Sequence, residues 1–393
     1  MQTARIHLID SLRGFSLLGI LLANMLIFQY GIFGKDEINH FDLSNFDYGS
    51  YKFIQIFIEE TFLPIFTFLF GFSLIKLVES LHNRGYHSRW FLVRRFLMLL
   101  TMGLLHSAFL WEGDILTFYG LFGFLLLFFI KRKPKTLIIW AIISFVLTIP
   151  FGYGQLEETN LDTQLTSDYI EKSKLIYGDG SYSQIYDFRN NEEDPLSGML
   201  DENPVIIFFI LMITPILSAP LFLLGMAAAK LNLFSDPHKL LATYKKWVLL
   251  IPVGVALKAW GHLMENSNWS GIGLIIGGPI LALGYIAAFS HLYTKHSSHF
   301  LFRGFESIGK LSLTNYIMQT IICTTLFYGY GFGWFENFGT FNSIILGIII
   351  IAIQGYISTL YLKKFKRGPL EIILRIVTNF SWNGKVRIRS EKV

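Results

Sequence analysis

Residues 12–33 read LRGFSLLGILLANMLIFQYGIF and contain one charged side chain, Arg13. A helix over this stretch is about 33 Å long, which matches a bilayer hydrocarbon core of about 30 Å. Nine more apolar runs of comparable length follow it. The sequence therefore predicts an all-α, polytopic membrane protein with about ten transmembrane helices in one domain over residues 1–393. The predicted spans are 12–33, 51–78, 93–111, 115–131, 136–153, 203–230, 244–263, 271–293, 308–328 and 341–362.

The composition is typical of a chain whose main solvent is lipid. Hydrophobic residues make up 52% of the sequence and charged residues 16%, and the mean hydropathy is +0.48. Soluble domains carry about 25% charged residues, so a soluble globular protein is excluded. The single cysteine, Cys323, excludes an intramolecular disulfide. No paired-cysteine or His-Glu-x-x-His pattern is present, so no metal site is predicted.

Lysine and arginine alternate between the two sides of the predicted spans. Of the 33 basic residues, 26 fall on the side that includes both ends of the chain. Basic loops stay in the cytoplasm, so we expect both termini there, with 363–393 as a basic cytoplasmic tail. This topology explains the net charge of +5 without a nucleic-acid partner. The first span has no small-residue cleavage site and is expected to remain as a signal anchor.

One long loop, 154–202, is predicted on the extracytoplasmic side. It contains 12 Asp and Glu residues against Lys172, Lys174 and Arg189. An acidic face of this kind attracts cationic ligands or repels anionic ones. A solvated lid or linker is the simpler interpretation, and the sequence leaves both open.

His106 and Asp114 bracket the short turn Trp111-Glu112-Gly113 between two predicted spans. Both side chains therefore approach the same outer membrane boundary. A histidine that titrates near neutrality, oriented by a carboxylate, is suited to general-base catalysis. An interfacial hydrogen bond would use the same pair.

Three further charged residues lie in or near the predicted spans. Glu59 and Glu60 precede Pro64, which can kink a helix toward a cavity. A charge at membrane depth costs about 2.5–3.5 kcal/mol, so Glu60 is either functional or marks the outer interface. Lys258 shares a helix face with His262, and snorkelling of its ammonium to the interface explains it.

Amides and arginines form a second group of candidates. Asp10 and Arg13 share a face at the cytoplasmic start of the first span, and Asn24 lies about 16 Å further along. In the ninth span Asn315 and Gln319 belong to a polar stripe at helical spacing. Arg13 suits a topology signal or a phosphate ligand, and the amides suit a polar substrate or helix packing.

At these positions the chain resembles the YeiB family of bacterial membrane proteins. The resemblance covers nearly the whole chain outside 154–202. The matching segments are Asp10-x-x-Arg13-Gly14-Phe15 with Gly19-Ile-Leu-Leu-x-Asn24, Leu69-Phe70-Gly71-Phe72, Gly103-x-x-His106, Gly113-Asp114-Ile115-Leu116-x-x-Tyr119-Gly120, Leu313-Thr314-Asn315-Tyr316-x-x-Gln319 and Gly368-Pro369-Leu370-Glu371-x-x-x-Arg375.

The YeiB family is similar to the transmembrane acyltransferase superfamily, which includes heparan-α-glucosaminide N-acetyltransferase and the integral-membrane O-acyltransferases. The resemblance implies transfer of an acyl group from cytoplasmic acetyl-CoA, or another acyl-CoA, to an acceptor on the outer side. Glu60-Thr-Phe-Leu-Pro64 is similar to the acidic residue and proline of the heparan enzyme's second helix. Where that enzyme has its catalytic histidine this chain has Tyr48-Gly-Ser50, so we assign the base to His106.

On this hypothesis the polar residues line one passage between the two membrane faces. The predicted catalytic residues are His106, Asp114 and Glu60. The predicted cofactor-binding residues, phosphate ligands at the inner mouth and amides near the thioester, are Asp10, Arg13, Asn24, Arg94, Arg95, Asn315, Gln319 and Arg375. The expected partners are the lipid bilayer, acyl-CoA and a sugar, glycan or small-molecule acceptor, in a bacterial plasma membrane.

Two other function classes use the same residues. A transporter of small molecules or ions would need the same polar pathway, and a non-catalytic scaffold or sensor would not need buried charges. The oligomeric state, monomer or homodimer, is left open.

Overall fold

A computed structural model describes residues 5–86, 88–154, 163–195, 218–264 and 267–382. Every regular element within these ranges is helical, which confirms the all-α prediction. The first part of the predicted span 203–230 and the last part of the basic tail lie outside the described residues.

The described ranges contain sixteen α-helices. They are α1 (His7–Tyr30), α2 (Asn45–Phe57), α3 (Phe62–His82), α4 (Ser88–Phe109), α5 (Leu116–Leu126), α6 (Pro134–Thr148), α7 (Thr163–Asp179), α8 (Tyr182–Asn191), α9 (Ser218–Lys230), α10 (Leu241–Trp247), α11 (Leu250–Leu263), α12 (Ser270–His296), α13 (Phe300–Lys310), α14 (Ser312–Phe327), α15 (Thr340–Lys364) and α16 (Pro369–Asn379). Short 3₁₀ helices cover Ile38–His40, Ile149–Gly152 and Pro237–Leu240.

Seven helical stretches in the described residues are long and apolar enough to cross a membrane. They are His7–Tyr30, Asn45–His82, Ser88–Phe109, Pro134–Gly152, Pro237–Leu263, Ser270–His296 and Thr340–Lys364, with Leu116–Leu126 and Ser218–Lys230 as shorter apolar helices. The chain is therefore a polytopic helical membrane protein. The count of ten spans and the cytoplasmic position of both ends stay predictions.

The predicted span 51–78 is two helices, α2 and α3, separated by a break at residues 58–61. Glu60 in this break has φ 54°, in the left-handed region that non-glycine residues rarely adopt. The 21 residues of α3 are about 32 Å long and cross a bilayer alone. Glu60 therefore lies at one end of the crossing helix rather than at its middle.

The predicted span 308–328 is also divided, at Leu311, between α13 and α14. Glu371 of α16 accepts hydrogen bonds from the backbone N–H groups of Leu313 (2.8 Å) and Thr314 (3.1 Å). These are donors that the first turn of a helix leaves unsatisfied, so a distant carboxylate fixes where α14 begins.

Side-chain hydrogen bonds between helices identify two ends of the helical bundle. At the arginine end, Arg13 near the start of α1 donates to the Ser73 hydroxyl of α3 at 2.9 Å. At the opposite end, which we call the loop end, the hydroxyls of Tyr30 at the end of α1 and Thr340 at the start of α15 are 2.8 Å apart. Helix α1 therefore runs antiparallel to both α3 and α15.

The central helix α1 packs closely against α13 because glycines remove side chains from the contact. A Cβ added to Gly309 would lie 1.8 Å from the Asp10 carbonyl oxygen, and one added to Gly14 would lie 2.0 Å from that of Phe305. Small residues at membrane helix contacts allow this backbone approach. The crossing holds Asp10 and Arg13 at a fixed position at the arginine end.

Candidate functional site

His106 and Asp114 form a buried pair at the loop end, as the sequence predicts. His106 Nδ1 lies 2.9 Å from Asp114 Oδ1, and both side chains are almost fully buried. The other carboxylate oxygen of Asp114 accepts the backbone N–H of Thr117 at 2.7 Å in the first turn of α5. One carboxylate therefore caps α5 and orients the imidazole carried by α4.

Gly103 allows α4 and α5 to approach closely enough for this pair. A Cβ at Gly103 would lie 2.2 Å from the Thr117 backbone nitrogen and 2.7 Å from Asp114 Oδ2. The Gly103-x-x-His106 spacing therefore has a steric origin, because the glycine and the histidine lie on adjoining turns that face α5.

The electrostatic environment favours an ionised Asp114. Burial acts to raise the pKa of Asp114, but hydrogen bonds from His106 and Thr117 outweigh it and leave this pKa below its usual value. A carboxylate beside Nδ1 fixes the imidazole tautomer with its proton on Nδ1 and stabilises the imidazolium when Nε2 takes a proton.

The second imidazole nitrogen faces Thr320, which sequence reasoning missed. His106 Nε2 lies 3.0 Å from Thr320 Oγ1, and Thr320 is 1% exposed. Thr320 is four residues after Tyr316, so it extends the predicted polar stripe by one turn. Asp114, His106 and Thr320 thus form a carboxylate–imidazole–hydroxyl line, which we call the outer triad after the predicted outer loop beside it.

Aromatic rings exclude water from the outer triad. The Tyr316 ring centroid is 5.3 Å from that of His106, and the Tyr316 hydroxyl accepts the backbone N–H of Ile115 at 3.2 Å. Trp111 is fully buried and stacks on Phe28 at 4.2 Å. In a dry site of this kind, charge interactions are stronger than in water.

Helices α7 and α8 of the outer loop cover the turn between α4 and α5. Arg189 donates to the carbonyls of Leu110 (3.0 Å) and Ala108 (2.8 Å), and Tyr177 donates to Glu112 at 2.8 Å. The described part of the predicted acidic loop is therefore a packed lid over the outer triad rather than a solvated linker.

Glu112 is held beneath this lid in a poorly hydrated position. Burial raises the pKa of Glu112, while the hydrogen bond from Tyr177 and the charge of Arg189 oppose the shift. Burial also raises the pKa of Tyr177 well above its usual value, so its phenol keeps the proton that it donates.

At the arginine end, Asp10 bridges two cationic side chains. It forms an ion pair with Arg5, and Arg13 Nη1 lies 3.2 Å from Asp10 Oδ1. Arg13 also donates to the Gly309 carbonyl at 3.3 Å. Arg13 is therefore fixed in place with a side chain that stays 21% exposed.

A recess of about 450 Å³ opens beside Arg5 and His7 at the arginine end. Its polar wall includes Arg5, His7, Lys76, Glu79 and Asn232, and Lys76 donates to both Glu79 and Asn232 at 2.9 Å. This volume lies within the range of small-molecule sites.

The other predicted phosphate ligands lie at the same end. Arg94 donates to the carbonyl of Thr378 at 3.0 Å, which places the last described helix there as well. Arg95 is within electrostatic range of Arg13 and Glu371, and no hydrogen bond or ion pair engages it within the described ranges. Burial lowers the pKa of Arg375, and nearby basic groups lower it further.

The predicted amides are not gathered around one site. Asn315 donates to Ser358 (3.1 Å) and to the Ile308 carbonyl (3.2 Å), and Gln319 donates to Gln354 at 2.9 Å. Both therefore join α14 to neighbouring helices. Asn24 is half-buried and has no hydrogen bond to another described residue.

Glu60 lies in a separate cluster at the break between α2 and α3. Lys258 is fully buried and donates to the Glu59 carbonyl, so it does not snorkel to the interface and that prediction is wrong. Lys35 reaches Glu59 Oε1 at 2.8 Å. Among the described residues no hydrogen bond or ion pair links Glu60 to His106. The predicted charged residues and His106 therefore form three clusters: the His106–Asp114 pair, this break and the arginine end.

Comparisons with known proteins find similarity along the whole chain. Residues 228–381 match the family described as "Protein of unknown function (DUF418)". The chain is 33% identical to "Uncharacterized protein YxaH" of Bacillus subtilis (strain 168), over 97% of this chain and 96% of that protein. It is 25% identical to "Uncharacterized protein YeiB" of Escherichia coli (strain K12), over 94% of this chain and 95% of that protein. The similarity extends over nearly the whole helical bundle.

Proposed function

This chain belongs to the family of YeiB and YxaH, as its motifs predict, and from that premise we propose that it is a transmembrane acyltransferase. An acyl group passes from acyl-CoA at the arginine end to an acceptor hydroxyl or amine at the loop end. The observation that supports this proposal is the buried Asp114–His106 pair, because an imidazole oriented by a carboxylate is the general base of acyl transfer.

The arginine end suits the nucleotide part of acyl-CoA. Guanidinium groups bind phosphate through paired, charge-assisted hydrogen bonds. Arg95 is unengaged among the described residues, and Arg13 is held by Asp10, which also pairs with Arg5 on the wall of a recess of about 450 Å³. Arg95 and His106 lie on one helix about 16 Å apart, so a long, thin thioester arm running along α4 would connect the two sites.

A vesicle assay tests the proposal. Membrane vesicles that expose the arginine end are given radiolabelled acetyl-CoA, and label transferred to membrane or lumenal acceptors is measured. Wild-type protein should transfer label, and His106→Ala should abolish transfer while the variant still folds and unfolds cooperatively in detergent. If His106→Ala transferred label at the normal rate, His106 would not be the general base.

Binding provides an independent readout. A ligand at 100 times its dissociation constant stabilises the folded state by about 2.7 kcal/mol. Acetyl-CoA should therefore raise the melting temperature of the wild type, and Arg13→Gln with Arg95→Gln should reduce the shift. No stabilisation by CoA or acyl-CoA contradicts the proposal.

Transport of an ion or small molecule is the second candidate, and the helix break supports it. The break at one end of α3 frees the Glu59 carbonyl, which accepts a hydrogen bond from Lys258. Helix α12 also contains a proline, Pro279. Broken helices form the ion and substrate sites of many transporters. Transport predicts dye-reported proton or ion flux across proteoliposomes that Lys258→Met changes, together with no response to CoA.

A further inference from the structure

The hydroxyl of Thr320 is placed differently from those of its neighbours on α14. Thr324 and Thr325 both donate to the carbonyl of Ile321, at 3.3 and 2.7 Å. Such bonds within a helix are the usual way to satisfy a threonine in an apolar helix. Thr320 makes no such bond among the described residues, and its hydroxyl meets His106 Nε2 instead.

The direction of that hydrogen bond follows from Asp114. Asp114 Oδ1 lies 2.9 Å from Nδ1, and its negative charge favours the tautomer with the proton on Nδ1, which leaves Nε2 as the acceptor nitrogen of the neutral imidazole. Thr320 therefore donates its hydroxyl proton to Nε2. The hydroxyl that lies in position to be deprotonated by His106 is thus a side chain of the protein itself.

From this geometry, and resting on the proposed acyltransferase function, we infer that Thr320 is the nucleophile and carries the acyl group as a covalent ester during turnover. A nucleophile bonded to a base that a third group orients is the arrangement of acyl-enzyme catalysis. The substrate class is a thioester donor, followed by a hydroxyl or amine acceptor.

The first half-reaction transfers the acyl group to the protein. Thr320 Oγ attacks the thioester carbonyl carbon while its proton moves to His106 Nε2. The carbon–sulfur bond breaks, and the imidazolium returns the proton to the leaving sulfur, which gives free CoA thiol and acyl-Thr320. Asp114 balances the charge of the transient imidazolium.

The second half-reaction reverses these roles. The acceptor hydroxyl or amine attacks the ester carbonyl and gives its proton to His106. The bond between the acyl carbon and Thr320 Oγ breaks, and Oγ regains the proton.

A two-step route suits the burial of the site. Thr320 and His106 are 1% and 3% exposed, so donor and acceptor would have to reach a closed site from opposite faces at the same time in a one-step transfer. A covalent intermediate separates the two binding events in time, because CoA leaves before the acceptor arrives. Each binding event then needs one local opening, of the kind that lids provide.

The test compares two threonines on one helix in the purified full chain. Thr320→Val removes the hydroxyl at nearly constant volume, Thr320→Ser keeps it, and Thr324→Val is the matched control one turn away, also buried. Without acceptor, the exchange of labelled CoA into acetyl-CoA and the acyl label on the Ser312–Phe327 peptide are measured.

We expect wild type, Thr320→Ser and Thr324→Val to exchange label and to retain one acyl group per chain. Thr320→Val should lose exchange and labelling by at least about 10³-fold, as loss of a nucleophile does. The ester should be released by hydroxylamine. Melting temperatures check that each variant folds. If Thr320→Val does not fold, the exchange and labelling of Thr320→Ser still test the inference.

Other outcomes separate the inference from the proposed function. Full transfer to acceptor by Thr320→Val, or wild-type transfer without exchange, overturns the covalent step and leaves the acyltransferase standing. A label on His106 instead of Thr320 also overturns it. An absence of CoA binding and of transfer in the wild type removes both.

Discussion

Arg189 in the outer loop donates to the main-chain oxygen of Leu110 at 3.0 Å, so the lid is attached directly to the end of the helix that carries His106. A second bond from the same guanidinium to Ala108, at 2.8 Å, satisfies another terminal carbonyl of α4. Cations are favoured at helix C-termini, where the last carbonyls have no partner within the helix.

The lid contact predicts a local loss of protection in Arg189→Met. Two buried carbonyl bonds disappear, so we expect a loss of about 1–3 kcal/mol of stability and faster proteolysis between α7 and α8. Lys172→Gln is the matched control, because Lys172 is exposed and forms its ion pair with Glu192 on the same lid. Equal cleavage rates in both variants would show that the guanidinium does not hold the lid.

Asp114→Asn should keep the helices in place but disturb the tautomer of His106. An amide can still accept from Thr117 N–H, whereas it no longer stabilises an imidazolium, so we expect acyl transfer to fall by about 10³–10⁴-fold with a small change in melting temperature. The acyl-transfer rate and the melting temperature of the variant are both compared with those of the wild type. Activity within tenfold of wild type contradicts an orienting role for Asp114.

The lowered pKa of Asp114 also predicts an acid sensitivity. A carboxyl whose pKa is depressed on folding contributes stability that is fully present above its unfolded value, 3.8, and is lost as the pH falls through its folded value. Thermal melts of wild type should therefore decline as the pH falls below about 4, and Asp114→Asn should decline less. Parallel curves for the two proteins would argue against this linkage.

Two glycines of α13 offer a matched test of the crossing with α1. A Cβ on Gly309 would lie 1.8 Å from the Asp10 carbonyl, whereas nothing lies within 4 Å of one on Gly304. Gly309→Ala should destabilise by about 1–3 kcal/mol through overpacking. Gly304→Ala should stabilise by about 0.4–1 kcal/mol, because the unfolded chain loses entropy. Thermal unfolding in detergent measures both, and similar shifts would contradict the packing.

Removal of the carboxylate that begins α14 should loosen the helix that carries Thr320. Glu371 accepts from two backbone amides and, at 2.6 Å, from the Thr314 hydroxyl. Glu371→Ala should cost about 1–2 kcal/mol, and Glu371→Gln should cost less because its amide oxygen still accepts. Hydrogen exchange of the Leu313 and Thr314 amides measures the effect. Unchanged exchange would show that the cap does not hold this turn.

Sequence reasoning predicted the fold class, the family and the His106–Asp114 contact, and each depends on local information. Hydrophobic length identifies crossing helices, and a turn of a few residues brings His106 and Asp114 together whatever the rest of the chain does. Thr320 lies more than 200 residues from His106, and its place at the end of the polar stripe on α14 does not indicate which residue its hydroxyl faces. The contact between Thr320 and His106 depends on the packing of α14 beside α4.

The errors have the same origin in long-range contacts. The division at Leu311 depends on Glu371 from another helix, and the buried position of Lys258 depends on a carbonyl freed about 200 residues earlier. Hydropathy along the chain records neither contact. For the amides of Asn315 and Gln319 the sequence leaves a ligand and helix packing both open, and in the structure they pair with Ser358 and Gln354 between helices.

One oxygen of Asp114 contacts the imidazole and the other accepts from the first turn of α5. Gly103, which has no side chain, allows the two helix backbones to lie close together. The pair of helices must consequently tilt as one stiff hairpin. A bilayer of different thickness that changes the tilt of one of these helices should therefore move the other helix and the His106–Asp114 pair with it.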